Sequence, residues 1–275
     1  MIQPVFCFDF DGTLVDNSGR IHPDDKSLLS SKEPSYTFIT CTGRSLESVR
    51  KTFARKGIFT DGKIPFPLVL LNGSLIYAPN EKYLDYFPFS GSIQKEIILK
   101  AGERNEITFL FLSKHQTYIL GVTPFGISQI SKYEFTPYPL TPRTQEIPFS
   151  KVMCISENQE ALRSFLESIG SIQVEKDYSM ATILELTPFH VNKGYGLQIL
   201  LSRIKHEKDR VFAAGDGEND LSMAEIAEEF FVPVTAPREI TACATHIIDT
   251  QKEGLLVPMI NRWNELNDAS LPETI

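Results

Sequence analysis

Tryptophan occurs once in the chain and cysteine only four times, and no apolar run approaches the ~18 residues a membrane-spanning helix needs. Cys7, Cys41, Cys154 and Cys243 are scattered without a C-x-x-C pair, so neither a zinc site nor a disulfide framework is expected; they read as small, reduced core residues. Basic residues are also in deficit. Lys and Arg total 27 against 35 Asp and Glu, a formal charge of -8, whereas a nucleic-acid binder normally presents a basic face. An acidic chain can still bind phosphate where local cations outweigh the global field. The first residues lead into a strand without the basic and apolar regions of a signal peptide, so a cytoplasmic location with no membrane partner is the expectation. What the chain does have is length, 275 residues, and 42% hydrophobic content, enough for one large core or two modest ones.

The most informative segment is Val5-Phe6-Cys7-Phe8-Asp9-Phe10-Asp11-Gly12-Thr13-Leu14. An apolar run ends in two carboxylates two residues apart, followed by glycine, as a buried strand does when it delivers acids to the carboxyl edge of an open α/β sheet. Strand alternation would send the Asp9 and Asp11 side chains the same way. A calcium loop of the D-x-D-x-D-G type is the bland alternative, but the third acid, the closing glutamate and a preceding helix are all missing.

Asp9-Phe10-Asp11-Gly12-Thr13-Leu14 resembles the first signature of the haloacid dehalogenase superfamily, mostly phosphatases with an aspartate nucleophile and magnesium. Three further segments follow in that family's order: Phe38-Ile39-Thr40-Cys41-Thr42-Gly43-Arg44, Asn192-Lys193-Gly194 and Gly215-Asp216-Gly217-Glu218-Asn219-Asp220. The long interval between Arg44 and Lys193, with Leu71-Asn72-Gly73 inside it, is similar to the Cof-like branch, which acts largely on small phosphorylated metabolites.

Periodicity divides the chain. Up to about Lys82, strand-like and helix-like runs alternate, implying a parallel sheet: Tyr36 to Cys41 and Pro67 to Leu71 as strands, Asp24 to Ser31 and Ser45 to Lys56 as helices, and a hairpin over Leu75 to Phe87 turning at Pro79-Asn80. From about Tyr83 to Phe189 the pattern becomes α+β, with helices at Ser92 to Arg104, Ile127 to Lys132 and Gln159 to Ile169. Its strands are read at Thr108 to Leu112, Thr117 to Val122, Lys151 to Ser156, Ser171 to Glu175 and Thr182 to Leu186. The first pattern then resumes with helix Lys193 to His206, strand Arg210 to Ala214, helix Asp220 to Glu228 and shorter elements to Trp263. The expectation is a doubly wound, Rossmann-like α/β core over residues 1–82 and 190–275, with an inserted α+β cap over residues 83–189.

Phosphate monoesters are inert in water, and hydrolysing them needs an in-line nucleophile and neutralised charge. The resemblance makes Asp9 the nucleophile, forming an aspartyl-phosphate, and Asp11 the general acid and base. Asp216 and Asp220 bring further negative charge to the same edge; two like charges ~4 Å apart repel by about 4 kcal/mol at an effective dielectric near 20. A hard cation resolves this. Mg2+ is expected on Asp9, the Asp11 main-chain carbonyl and Asp216, and the resemblance implies that Asp220 and Asn219 bind or orient that shell. Reading Gly215-Asp216-Gly217 as a dinucleotide loop would need glycine at position 220, where aspartate stands. Lys193 supplies a cation aimed at Asp9 and a phosphate oxygen, an unfavourable place for a lysine if it merely opened a helix. Thr42 and the Gly43 N–H sit where a strand meets a helix, suited to phosphate oxygens. Arg44 contacts substrate or braces the helix, and Asn72 contacts substrate or serves a common Asn-Gly turn.

The five histidines, His22, His115, His190, His206 and His246, show no metal spacing. Phe109 and Phe111 read as core of the insert, and Glu225 to Glu229 as a solvated helix face. One departure from the branch lies at Thr235-Ala236, where Cof-like proteins usually carry Asn-Ala. The expected activity is phosphatase action on a small phosphorylated metabolite, a sugar phosphate first. A phosphotransferase such as a sugar phosphomutase and a noncatalytic phosphometabolite-binding protein are the alternatives.

Overall fold

Val5, Phe6, Cys7 and Phe8 have no solvent exposure at all, which a strand achieves only when both faces of its sheet are covered. In the computed structural model, which describes residues 3–31, 36–79, 82–131, 136–204 and 210–268, these four residues form β1 at the centre of an eight-stranded sheet. The chain continues through α1 (Pro23–Leu29), β2 (Thr37–Cys41), α2 (Leu46–Arg55), β3 (Leu68–Leu70), β4 (Leu75–Ala78) and β5 (Lys82–Tyr86). A second unit follows: α3 (Gly91–Gly102), β6 (Thr108–Ser113), β7 (Thr117–Leu120), α4 (Pro124–Ile130), β8 (Tyr138–Pro139), β9 (Phe149–Ile155), α5 (Gln159–Ser168), β10 (Val174–Met180) and β11 (Ile183–Pro188). The first sheet is completed by α6 (Lys193–Arg203), β12 (Val211–Ala214), α7 (Leu221–Ala224), β13 (Glu229–Pro233), α8 (Arg238–Thr241), β14 (His246–Ile248) and α9 (Leu256–Asp268).

The strand order β14-β13-β12-β1-β2-β3-β4-β5 is parallel from β14 to β3, with β4 and β5 added antiparallel. Alternation along β1 sorts its side chains between two cores. Phe6 and Phe8 join Phe53 of α2 and Met259 and Trp263 of α9, while Val5 and Cys7 join Leu197 and Leu200 of α6 and Met223 of α7. The fold is therefore a doubly wound α/β sheet. Because the chain leaves β1 toward β2 and returns later to β12 on its other side, the topological switch point lies at the carboxyl ends of β1, β2 and β12, where α/β sheets gather ligands.

The second sheet has the order β10-β11-β9-β6-β7-β8. One face packs Phe109, Phe111 and Leu184 on α3 and α5, so the two phenylalanines are core, as expected. The other carries Leu112, Met153, Glu185 and Asp177 toward the first sheet's carboxyl edge.

Several local readings change. The first sheet runs on through β5 to Tyr86, past the expected start of the insert at Tyr83, because β5 pairs with β4; Asn80 of the hairpin turn lies outside the described residues, as do Lys132 and His206 at two expected helix ends. The helix expected over Asp220 to Glu228 stops at Ala224, and Glu229 instead opens β13, its carboxylate held by Arg262 and His246. The shorter elements expected up to Trp263 include α9, which carries Trp263 on to Asp268. Its first N–H groups, Leu255 and Leu256, donate to the buried Asp25 of α1 at 2.8 Å each, a cap supplied from 230 residues away in sequence. Strand β10 runs to Met180 rather than ending at Glu175: Val174, Tyr178 and Met180 alternate with Glu175, Asp177 and Ser179, but Lys176 interrupts the apolar series, and Tyr178 and Met180 stay exposed on an edge strand. Cys7, Cys41 and Cys154 are buried, but Cys243 is exposed and so is not a core residue.

Candidate active site

Asp9 follows directly on β1, its N–H still bonded to the Ala214 carbonyl at 2.9 Å, so the strand places it at the mouth of the switch point. The backbone then turns. Gly12 takes a φ of 82°, and a side chain there would strike Asp216 Oδ2 at 2.2 Å, so glycine serves both the turn and the close approach of the two acidic loops. Strand alternation therefore does not extend to Asp11. Asp9 and Asp11 line the same cavity but aim at different partners.

Asp9 is held by Lys193, whose Nζ donates to Asp9 Oδ1 at 2.6 Å and to Asp220 Oδ1 at 2.7 Å. Lys193 opens α6, behind the Asn192 side chain, which accepts from the Tyr195 N–H. An ammonium at a helix N-terminus opposes the helix dipole, and the two buried carboxylates outweigh that cost. Asp220 Oδ2 accepts from the N–H groups of Asp216 and Gly217 at 3.1 and 3.0 Å, so this side chain ties Lys193 to the acidic loop after β12. Asp216 is fixed in turn by Thr13, whose hydroxyl donates to its Oδ1 at 2.7 Å.

Three acids thus crowd one ammonium. Burial pushes the Asp9 carboxyl well above the usual carboxylate range; Lys193 pulls it down, while Asp220, Asp216 and Asp11 push it further up. Asp216 is raised to about 6, by burial first and then by Asp220 and Asp11 against Thr13 and Lys193. Burial acts to lower Lys193, but Asp220 and Asp9 together overcome it and keep the ammonium charged. The surplus negative charge calls for a further cation. Asp9, Asp216 and Asp220 each offer an oxygen, and these atoms lie within 4.8 Å of one another. An all-oxygen set of this kind fits a hard divalent ion.

Asp11 is placed differently from its expectation. Its carboxylate is exposed and gripped by Arg44, with Nε to Oδ2 at 2.6 Å and Nη2 to Oδ1 at 2.7 Å, so a cation rather than a crowd of carboxylates is its nearest partner. Arg44 Nη1 is anchored by Ser48 and Thr52 on α2 at 2.9 Å each. Thr42, Gly43 and Asn219 line the cavity with Asp9, and Thr42 Oγ1 accepts from the Arg44 N–H. Asn72 is not among the residues around that cavity. It adopts a φ of 54° below Gly43, and its Nδ2 donates to Glu185 Oε2 at 2.7 Å, joining the two sheets. Thr235 is exposed beyond β13, also outside the cavity lining.

The cavity measures about 360 Å³. The second sheet adds residues that sequence reasoning missed, in the cavity wall and just behind it. Lys151 of β9 is buried, with Nζ 2.7 Å from Glu185 Oε2 and 2.9 Å from the Gly43 carbonyl oxygen, which it donates to. Asp177, Glu185, Met153 and Leu112 line the cavity wall. Only Thr13 carried a signal, its place within the first signature; the others sit in strands with no motif.

Known proteins share this chain's sequence pattern and fold. A phosphoglycolate phosphatase from Methanothermobacter thermautotrophicus is 26% identical over 240 residues, covering 87% of this chain and 89% of its own. A haloacid dehalogenase-like hydrolase from Bacteroides thetaiotaomicron superposes with a TM-score of 0.80 at 18% identity, over 95% of this chain and 99% of that one. A sugar phosphatase of subclass IIB does so with a TM-score of 0.79 at 16% identity, over the same shares. The family model described as haloacid dehalogenase-like hydrolase matches residues 6–258, a span that takes in both sheets and all four acidic and basic loops of the site. On that match the chain belongs to the haloacid dehalogenase-like hydrolases.

Proposed function

We propose that this protein is a magnesium-dependent phosphatase of small phosphorylated metabolites, sugar phosphates first, working through an aspartyl-phosphate on Asp9. The observation that carries the reading is the bridge from Lys193 to Asp9 and Asp220 beside Asp216, at the floor of a cavity sized for a small molecule. The subclass IIB neighbour and the phosphoglycolate phosphatase point to the same reaction class.

Asp9, the Asp11 carbonyl and Asp216 would hold magnesium, with Asp220 bracing them; the ion would supply charge neutralisation for the transferring phosphoryl group. Lys193 keeps Asp9 Oδ1 fixed, leaving Oδ2 to attack phosphorus. Asp11, which takes up a proton from solvent as it leaves Arg44 for the substrate, gives that proton to the leaving oxygen as the P–O bond breaks. It then takes a proton from the water that opens the aspartyl-phosphate, returning Asp9 and inorganic phosphate. Thr42, Gly43 and Asn219 orient phosphate oxygens. The second unit, from α3 to β11, acts as the cap that closes the cavity and excludes water.

Asp9→Asn tests the reading, because the amide nearly preserves shape but cannot attack phosphorus. Turnover should fall by several orders of magnitude with the melting temperature kept near that of the parent. A variant that hydrolyses phosphate esters at more than ~1% of the parent rate would remove Asp9 as nucleophile.

A further inference from the structure

The cavity's two walls are charged unequally. Arg44 and Lys193 are the cations around it, and both are committed, Arg44 to Asp11 and Lys193 to Asp9 and Asp220. The wall from the second sheet is a cross-strand row. Met153 on β9 stands opposite Glu185 on β11, and Glu185 stands opposite Asp177 on β10, so the three side chains share one face. Glu185 is satisfied, its Oε2 accepting from Lys151 and Asn72 at 2.7 Å each.

Asp177, the next member of the row, is not. Its Oδ2 is shut off from solvent, and no group among the described residues donates to it. Burial pushes the carboxyl up to about 6, with Glu185 adding to the rise, Lys151 and Lys193 opposing it, and Glu218 adding again. A carboxylate oxygen removed from water without a donor is costly, and native structures rarely keep one without a use. It sits on an edge strand, where a turn of the side chain toward solvent would relieve it, yet it lines the cavity.

We propose that Asp177 is the specificity-determining acceptor for the organic part of the substrate, selecting phosphate monoesters that present a hydroxyl or ammonium donor and no second anion. The proposal rests on the phosphatase reading and sharpens it to polyhydroxy or amino-polyhydroxy leaving groups. A carboxylate in the same place would face Asp177, Glu185 and Glu218, and the nearby Lys151 ammonium is already bound to Glu185 and the Gly43 carbonyl.

The test compares glucose 6-phosphate, glucosamine 6-phosphate and 2-phosphoglycolate, with magnesium present, in the parent enzyme, Asp177→Ala and Asp177→Asn. Binding of the same three compounds is measured by calorimetry in Asp9→Asn with and without Asp177→Ala. The parent should favour both sugars over phosphoglycolate. Asp177→Ala should cut that preference by about ten- to hundredfold, mostly through KM, as expected for one hydrogen bond to a charged acceptor. Asp177→Asn, which keeps an acceptor oxygen but no charge, should restore most of the preference for glucose 6-phosphate and little of that for glucosamine 6-phosphate. A parent that prefers phosphoglycolate, or an Asp177→Ala variant that weakens all three equally, overturns the proposal. If the parent turns over no phosphate ester, the phosphatase reading fails by itself, and the calorimetric series still decides whether Asp177 selects the donor-bearing ligands.

Discussion

Arg44 grips both carboxylate oxygens of Asp11, at 2.6 and 2.7 Å, while its remaining amino group is pinned to Ser48 and Thr52 on α2. A loop acid is thereby tied to a helix, which gives Arg44 a positioning role toward Asp11 that neither sequence reading of Arg44 included. Arg44→Lys keeps the charge but loses the planar fork, so Asp11 would be held at one point only. Steady-state kinetics should show kcat/KM down about tenfold or more. An unchanged value would mean that the pairing has no part in turnover.

Asp11→Asn should damage the reaction in a manner that depends on the leaving group. Metal and substrate still bind, but proton delivery fails. Alkyl phosphates, whose alkoxides need a proton, should lose more than p-nitrophenyl phosphate, whose phenolate leaves unaided. Equal losses on the two substrates would remove the general-acid role.

Activity should disappear in chelator and return with magnesium. Asp216→Ala should raise the magnesium concentration for half-maximal activity by at least about tenfold, since one anionic oxygen has gone, and Thr13→Val should shift it less in the same direction by freeing Asp216. Metal titration by calorimetry gives the same ranking independently of turnover. Full activity in chelator would refute the charge argument made from Asp9, Asp216 and Asp220.

Asp177 should cost stability when charged. Its carboxyl is raised from 3.8 to about 6 in the fold, with Glu185, Lys151, Lys193 and Glu218 as its charged neighbours. A raised carboxyl contributes stability while protonated, and that contribution is lost as pH rises from the unfolded value through the folded one. Asp177→Asn should therefore gain stability over the parent between about pH 4 and about pH 7, by ~1–2 kcal/mol after allowance for its partial exposure, or a few degrees in Tm. A parent-to-variant difference that does not change with pH would show that the carboxyl is not buried as described.

The fold was legible where the physics is local or periodic. Val5 to Phe8 is apolar on every residue because both faces are covered, and that run, with the acids and glycine after it, points to a sheet's carboxyl edge without any structure. Lys193, Asp216 and Asp220 were legible through the order of the motifs that resemble the family's, helped at Asp216 by the buried strand Val211–Ala214 just before it. Glu225 to Glu229 failed because a charge run reads as a helix face, and only the pairing of β13 with β12 makes it a strand start. Asp25 falls unremarked within the expected helix over Asp24 to Ser31; its role as the cap of α9 depends on a contact 230 residues away.

What the sequence determined by itself was the charged set of the site, since Asp9, Lys193, Asp216 and Asp220 come from short motifs whose backbone geometry is set by neighbouring residues. The tertiary structure alone decided who stands around that chemistry. Arg44 meets Asp11 because α2 packs behind β1, and Asp177 and Lys151 meet the site because a second sheet lays one face over the first sheet's edge. Those meetings depend on strand register and on packing between distant segments. No local pattern encodes them: β10 alternates apolar and polar residues at all positions but Lys176, and that alternation does not say which distant segment the Asp177 face will cover.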